Sequence, residues 1–328
     1  MHTRLTLIIA LLTLFVSAGC MTHWVDPDAA PPATRIDGEA IFGYEKADFA
    51  VKQTLEEKHD GYDIIRVTFP SYFQDDPSNL EVTAWYYRQH GDAPTAGLIQ
   101  IPILGGDYGP SMIFAEAFAD AGFHVLRFAR KNEIFDAATG LHRTRQVMVR
   151  SVIDIRRGLD WWLTLPEVDA KRIGVCGISM GGFQGSTLMA IDQRITAGAF
   201  LISGGDLADL IMVSEEGEVI AYRRALMALN DWTPAQLEAE AKKVLDPIDP
   251  LRFVPNLNPH NVLLLHGRLD AVVPFKHSTA LYEAAHRPTR IVLPVGHYST
   301  VFYIVFAIES CIIHFRDVFD IDKPLYPR

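Results

Sequence analysis

The 328-residue sequence predicts an α/β fold: a mostly parallel central sheet with helices on both faces and a helical cap inserted late in the chain. Three observations predict it. Short apolar runs rich in β-formers alternate with helical segments from about residue 60 onward, and strands covered on both faces read in that way. Glycine-rich turns, LGGDYGP and GISMGG, stand where strands give way to helices. Between 207 and 258 the alternation stops, and three amphipathic helical pieces follow one another without a strand.

The elements follow in order. YDIIRVTFPS and EVTAWYYRQ, joined by a turn-rich stretch, predict an antiparallel pair at one edge of the sheet. AGLIQIPI is a buried strand, SMIFAEAFADAG a helix stopped by Gly122, and FHVLRFAR the next strand. Met148, Val152, Ile155, Leu159 and Trp162 recur at steps of four and three, which lays them along one helical face that Pro166 ends. RIGVCGIS, GGFQGSTLMAIDQ and ITAGAFLIS then read as strand, helix and strand. In the insertion, PAQLEAEAKKVL carries its acids early and its lysines late, as the helix dipole prefers. NVLLLHG, FKHSTALYEAA, TRIVLPVG and a closing helix resume the alternation. Glu309 and His314 interrupt the apolar run of that last helix, which predicts packing on the sheet rather than a membrane span.

Composition narrows the function classes. The chain is 49% hydrophobic and 21% charged, the balance of a globular protein. A net charge of −10 with no run of Lys and Arg argues against a nucleic-acid partner. No spacing of His, Cys or carboxylates suggests a metal, and LGGDYG lacks the lysine of a phosphate loop, so neither metal nor cofactor is expected.

The first nineteen residues read as a signal peptide, with Arg4, an apolar stretch over 5–16 and small residues before Cys20. A cysteine after such a site resembles the lipobox of bacterial lipoproteins, with Ser17 where leucine is usual. That resemblance implies export and a membrane anchor through acylated Cys20; the other reading is plain secretion. Residues 20–40, rich in Pro, Ala and Asp, read as a tether, and 41–328 as the domain with its cap at 207–258. Cys176 and Cys311 are expected as buried free thiols, with a single disulfide as the alternative.

Ser179 stands in G-x-S-x-G between a buried strand and a helix, the context in which a serine is held at the apex of a strained elbow. The bland reading is a small residue in a glycine-rich turn. A serine needs a base, and His297 in LPVGHYST lies just past a strand, where α/β sheets assemble their sites. Asp270 in HGRLDAVVP follows another strand and is the expected orienting acid; Asp206 competes, but suits a helix cap equally well. The amide of Met180 is one expected oxyanion donor, and Gly106 the other, with Gly105 the fallback. His266, beside Gly267, reads as a packing residue.

With these motifs in place, residues 60–318 resemble the α/β-hydrolase superfamily. LDWWLTLPEVDAKRIGVCGISMGGF and HGRLDAVVP are similar to its dienelactone hydrolase, acetyl xylan esterase and prolyl oligopeptidase branches. Many relatives carry His-Gly in the oxyanion loop, where this chain has Leu104-Gly105. The resemblance implies a serine hydrolase acting on a small carboxylic ester through Ser179, His297 and Asp270. The alternatives are a peptidase of the prolyl oligopeptidase type, whose relatives usually add a propeller, and a non-enzymatic envelope lipoprotein that retains the fold.

Overall fold

The computed structural model describes residues 20–30, 33–75, 80–106, 109–130 and 134–321; the expected signal peptide lies outside them. Among the described residues, ten strands form a single sheet. In chain order they are β1 (Met21–His23), β2 (Lys52–Lys58), β3 (Tyr62–Pro70), β4 (Glu81–Gln89), β5 (Thr95–Ile101), β6 (His124–Phe128), β7 (Val168–Ile178), β8 (Ala197–Leu201), β9 (Val262–Gly267) and β10 (Thr289–Leu293). Across the sheet the order is β1-β10-β9-β8-β7-β5-β6-β4-β3-β2. From β10 to β6 every pairing is parallel, while β4, β3 and β2 continue it antiparallel.

Burial explains the patterning. Strands β6, β8 and β9, in the parallel body, are buried at every position, because helices cover both faces. The outermost strand β2, KQTLEEK, is exposed throughout, and its charges keep that edge from pairing with another chain. On one face lie α3 (Gly140–Trp162), α4 (Met180–Ile191) and α9 (Phe275–Ala284), whose Leu159, Trp162, Leu188 and Leu281 build the larger core. On the other face, α2 (Gly109–Asp120) and α10 (Ile304–Val318) bury Phe114, Phe118, Cys311 and Phe315 in the second core. Among the described residues one segment, Tyr298–Val318, is long and apolar enough to cross a membrane. Its Ala307, Ile308, Cys311, Ile312 and Phe315 are nonetheless packed against the sheet. Cys176 and Cys311 are free buried thiols in that core.

The lead-in expected as a tether differs in the structure. Residues 21–23 pair antiparallel with β10, Arg35 donates to the carbonyl of Ala190 at 2.7 Å, and the Ile36 amide donates to Asn256 at 2.6 Å. A short helix α1 (Glu39–Phe42) follows. Backbone pairing against an open sheet edge needs no apolar period, so composition did not announce it. The insertion contains α5 (Leu207–Val213), α6 (Gly217–Asn230), α7 (Pro234–Leu245) and the single turn α8 (Pro250–Phe253). Thr233 and Gln236 form a reciprocal capping box at the start of α7.

Candidate active site

β7 ends at Ile178 and α4 begins at Met180, so one residue makes the entire turn. Ser179 takes φ 52° and ψ −120°, a conformation that non-glycine residues rarely adopt, and its amide donates to the Leu201 carbonyl at 2.8 Å. The turn closes because its neighbours have no side chain. A Cβ on Gly177 would stand 2.1 Å from the Gly181 carbonyl oxygen, and one on Gly182 would stand 2.5 Å from Ser203 Cβ. The result exposes the Ser179 hydroxyl at the carboxyl end of the sheet.

Two further loops reach the same point. His297 follows β10, and its Nε2 lies 3.0 Å from Ser179 Oγ. The loop is held by Thr300 Oγ1, which donates to the Gly296 carbonyl, and by the Gly296 amide, which donates to Ser299 Oγ. Asp270 follows β9, and its Oδ2 lies 2.7 Å from His297 Nδ1. Its other oxygen accepts from the amides of Val272 and Val273 at 2.9 and 2.8 Å. A carboxylate only accepts, so Nδ1 carries the proton it donates to Asp270, and Nε2 is left to accept from the serine hydroxyl. The acid and the imidazole are almost dry, with 2% and 8% of their side-chain surface exposed. Water therefore competes little for either bond.

Asp206, the competing acid, does something else. It adopts the left-handed conformation and caps α5, accepting from the Asp209 amide. His266 is buried on β9 with no hydrogen-bond partner for either ring nitrogen among the described residues. Burial, with the nearby Arg290 charge, pushes its pKa well below the usual histidine range.

On the loop expected to supply the second oxyanion donor, the Gly106 amide donates to the Ile103 carbonyl at 3.2 Å and closes the turn on itself. Gly106 also lines a neighbouring cavity, whereas Leu104 and Gly105 reach the cavity that contains Ser179. The positive φ of Gly106, 95°, is what lets the chain make that turn. Met180 is the first residue of α4, and its amide is among those that a helix leaves without an intrahelical partner.

Arg130, which sequence reasoning missed, fixes this loop. Its guanidinium donates to the carbonyls of Ile103 and Pro102 at 3.0 and 2.9 Å and to Gln184 on α4 at 2.6 Å. Burial lowers its pKa to about 10, which leaves it charged at neutral pH. Its one legible signal was a cation directly after a buried strand. Ile202, at φ 44°, is a second strained residue beside the site, and nothing in the sequence marks it.

Ser179 and His297 open into a cavity of about 430 Å³. Its walls are mainly apolar, from Pro110 and Phe114 of α2, Ile178, Leu201, and Val301, Ile304 and Ala307 of the closing segment. The insertion contributes only Glu216 and Glu218. Glu216 accepts a hydrogen bond from the Tyr298 hydroxyl, and this bond raises the tyrosine pKa to about 12. A second cavity of about 510 Å³ shares Leu104, Gly105 and Glu218 with the first and runs under α6 past Arg130 and Tyr222.

Comparison with known proteins agrees with this architecture. Residues 142–291 match the prolyl oligopeptidase family. A 51-residue stretch is 37% identical to the uncharacterized protein YfhR of Escherichia coli (strain K12), covering 15% of this chain and only 18% of that protein. Among solved structures, the acetyl xylan esterase from Paenibacillus sp. R4 superposes with a TM-score of 0.61 at 16% identity, over 80% of this chain and 89% of that one. The Pyrococcus horikoshii acylaminoacyl peptidase superposes with a TM-score of 0.59 at 17% identity, over 82% of this chain and 43% of that one. The chain as a whole thus has the α/β-hydrolase fold of these structures, and its segment 142–291 is similar to the prolyl oligopeptidase family.

Proposed function

We propose that the protein is an exported, lipid-anchored esterase that cleaves carboxylic esters through an acyl-enzyme on Ser179. The observation that carries this reading is the continuous relay from Asp270 through His297 to Ser179, at 2.7 and 3.0 Å. Ser179 Oγ attacks the acyl carbon while His297 Nε2 takes its proton, and Asp270 stabilises the imidazolium that forms. The tetrahedral oxyanion is held by the Met180 amide at the positive end of α4 and by a backbone amide of the Leu104–Gly105 turn. His297 then protonates the departing alcohol, and water repeats the cycle on the acyl-enzyme.

An ester is favoured over a peptide by the apolar walls of the cavity, which suit an acyl chain and offer little to a peptide backbone. The prolyl oligopeptidase match favours a peptidase as the second reading. In this proposal the insertion at 207–258 screens the second cavity, and the chain is anchored through Cys20 after removal of residues 1–19.

A nitrophenyl ester and a peptide nitroanilide, assayed side by side with Ser179→Ala, test the chemistry. Wild type is expected to react with a fluorophosphonate and to prefer the ester, and Ser179→Ala to lose labelling and about 10³-fold or more in kcat/KM. Equal rates in both proteins would refute the nucleophile. Fractionation of Cys20→Ser, expected to move from the membrane pellet to the supernatant, tests the anchor.

A further inference from the structure

The position of Cys20 in the fold carries a consequence for the substrate. Cys20 directly precedes β1, which runs antiparallel to β10 with Met21 opposite Val292. Residue 20 therefore lies beside the carboxyl end of β10. Ser179, Asp270 and His297 follow the carboxyl ends of β7, β9 and β10, which run parallel through β8, so that is the catalytic end of the sheet. The edge strand could have run the other way, which would have put residue 20 at the opposite end. A bilayer tie at Cys20 holds the molecule by its catalytic end.

That end is also apolar on its outside. Tyr298, Phe302 and Val305, at the start of the closing segment, have 69%, 82% and 66% of their surfaces exposed. Leu269, adjacent to Asp270, is 69% exposed, and Met112 and Ile113 project from the first turns of α2. The inner faces of the same two elements, Phe114 and Ile304, wall the cavity that holds Ser179. Single exposed apolar residues are ordinary, but a rim of them around a cavity mouth marks a surface that meets something apolar. Exposed Arg268 beside Leu269 adds a cation at headgroup level. A helix turn with Phe and Val outward and Tyr at its start is the composition of a segment lying in a membrane interface.

We propose that the catalytic mouth faces the lipid bilayer and draws its substrate, an ester with a long acyl chain, out of the membrane surface into the apolar cavity. The proposal rests on the esterase reading of Ser179 and on the anchor at Cys20. Tethering confines the mouth to the surface, so even weak insertion of the rim raises the local concentration of lipid-dissolved ester far above that in water.

The test uses the full-length, anchored protein reconstituted on phosphatidylcholine vesicles, and the double variant Phe302→Asp/Val305→Asp, whose side chains lie outside the cavity lining. Two substrates are compared: water-soluble nitrophenyl acetate, and nitrophenyl palmitate dissolved in the vesicles. The anchor retains both proteins on the vesicle, so a difference reads the mouth rather than recruitment. The double variant is expected to hydrolyse the acetate within twofold of wild type, which also shows that it folds, and to lose at least tenfold on the palmitate. If the aspartates prevent expression, Phe302→Ser/Val305→Ser serves with the same expectation. Equal palmitate rates would overturn the proposal while leaving the esterase reading intact. So would a dimer seen by sedimentation that the variant breaks without changing the palmitate rate, because the patch would then meet a second copy of the chain. Loss of all Ser179-dependent ester hydrolysis in wild type would sink both.

Discussion

Asp270 uses its two carboxylate oxygens differently: Oδ1 is fixed by two backbone amides and Oδ2 faces His297 Nδ1. Asparagine in its place would turn its carbonyl to those amides and present its NH₂ to Nδ1. The imidazole would then carry its proton on Nε2, facing the serine as a donor instead of an acceptor. Asp270→Asn is therefore expected to lower kcat by about 10³–10⁴ while its thermal midpoint stays within a few degrees of wild type. A fall of less than tenfold in steady-state assays would show that Asp270 does not orient the base. Ser179, His297 and Asp270 were legible because each follows its own apolar strand by a few residues. At Gly106 the glycine signals a turn without showing that the turn's own amide donates back to the Ile103 carbonyl. Arg130 was missed because a buried cation that serves two carbonyls is defined by its partners, which come from residues 102, 103 and 184.

At the scale of elements, the elbow between β7 and α4 depends on bare backbone. A Cβ on Gly181 would meet the Ile101 carbonyl oxygen at 2.5 Å, so the helix lies directly against the end of β5. The spacing of glycines around Ser179 marks that junction in the sequence itself. The cavity walls carry no such mark. The insertion gives the Ser179 cavity only Glu216 and Glu218, whereas α2 and the closing segment give it seven residues. Their apolar residues follow the same helical period as ordinary core residues, so periodicity could not separate a wall from a core. Ile304→Trp would fill part of this cavity. Each methylene of acyl chain excluded from it forfeits about 0.8 kcal/mol, roughly fourfold in kcat/KM. In a series of water-soluble nitrophenyl esters, the octanoate-to-acetate ratio of kcat/KM is expected to fall at least tenfold in Ile304→Trp. An unchanged ratio would move the acyl site to the cavity beneath α6.

At the scale of the whole molecule, His266 couples stability to pH. It is 1% exposed on β9, and its pKa is depressed by burial and by Arg290. In the unfolded chain a histidine titrates near 6.5. Its neutral form therefore contributes stability that is complete above about pH 6.5 and is lost as pH falls toward the lower folded-state pKa, because the unfolded chain binds the proton first. This one group is expected to add a slope of up to about 1.4 kcal/mol per pH unit on the acid side. Denaturant unfolding at pH 7.5 and pH 5 should show a smaller acid loss in His266→Leu than in wild type. An equal loss in both would mean that His266 does not control it. The sequence by itself determined the alternation of strands and helices, the covered parallel sheet and the three loops that bear Ser179, Asp270 and His297. These follow from local periodicity and from rules about where sheets carry their sites. Only the tertiary structure decided that residues 21–23 complete the sheet beside β10, that Arg130 anchors the turn at 102–106, and that exposed apolar residues and Cys20 lie at the same end of the sheet as Ser179. Each of these depends on which distant segments meet, and pairing between residues far apart in the chain leaves no period in the sequence.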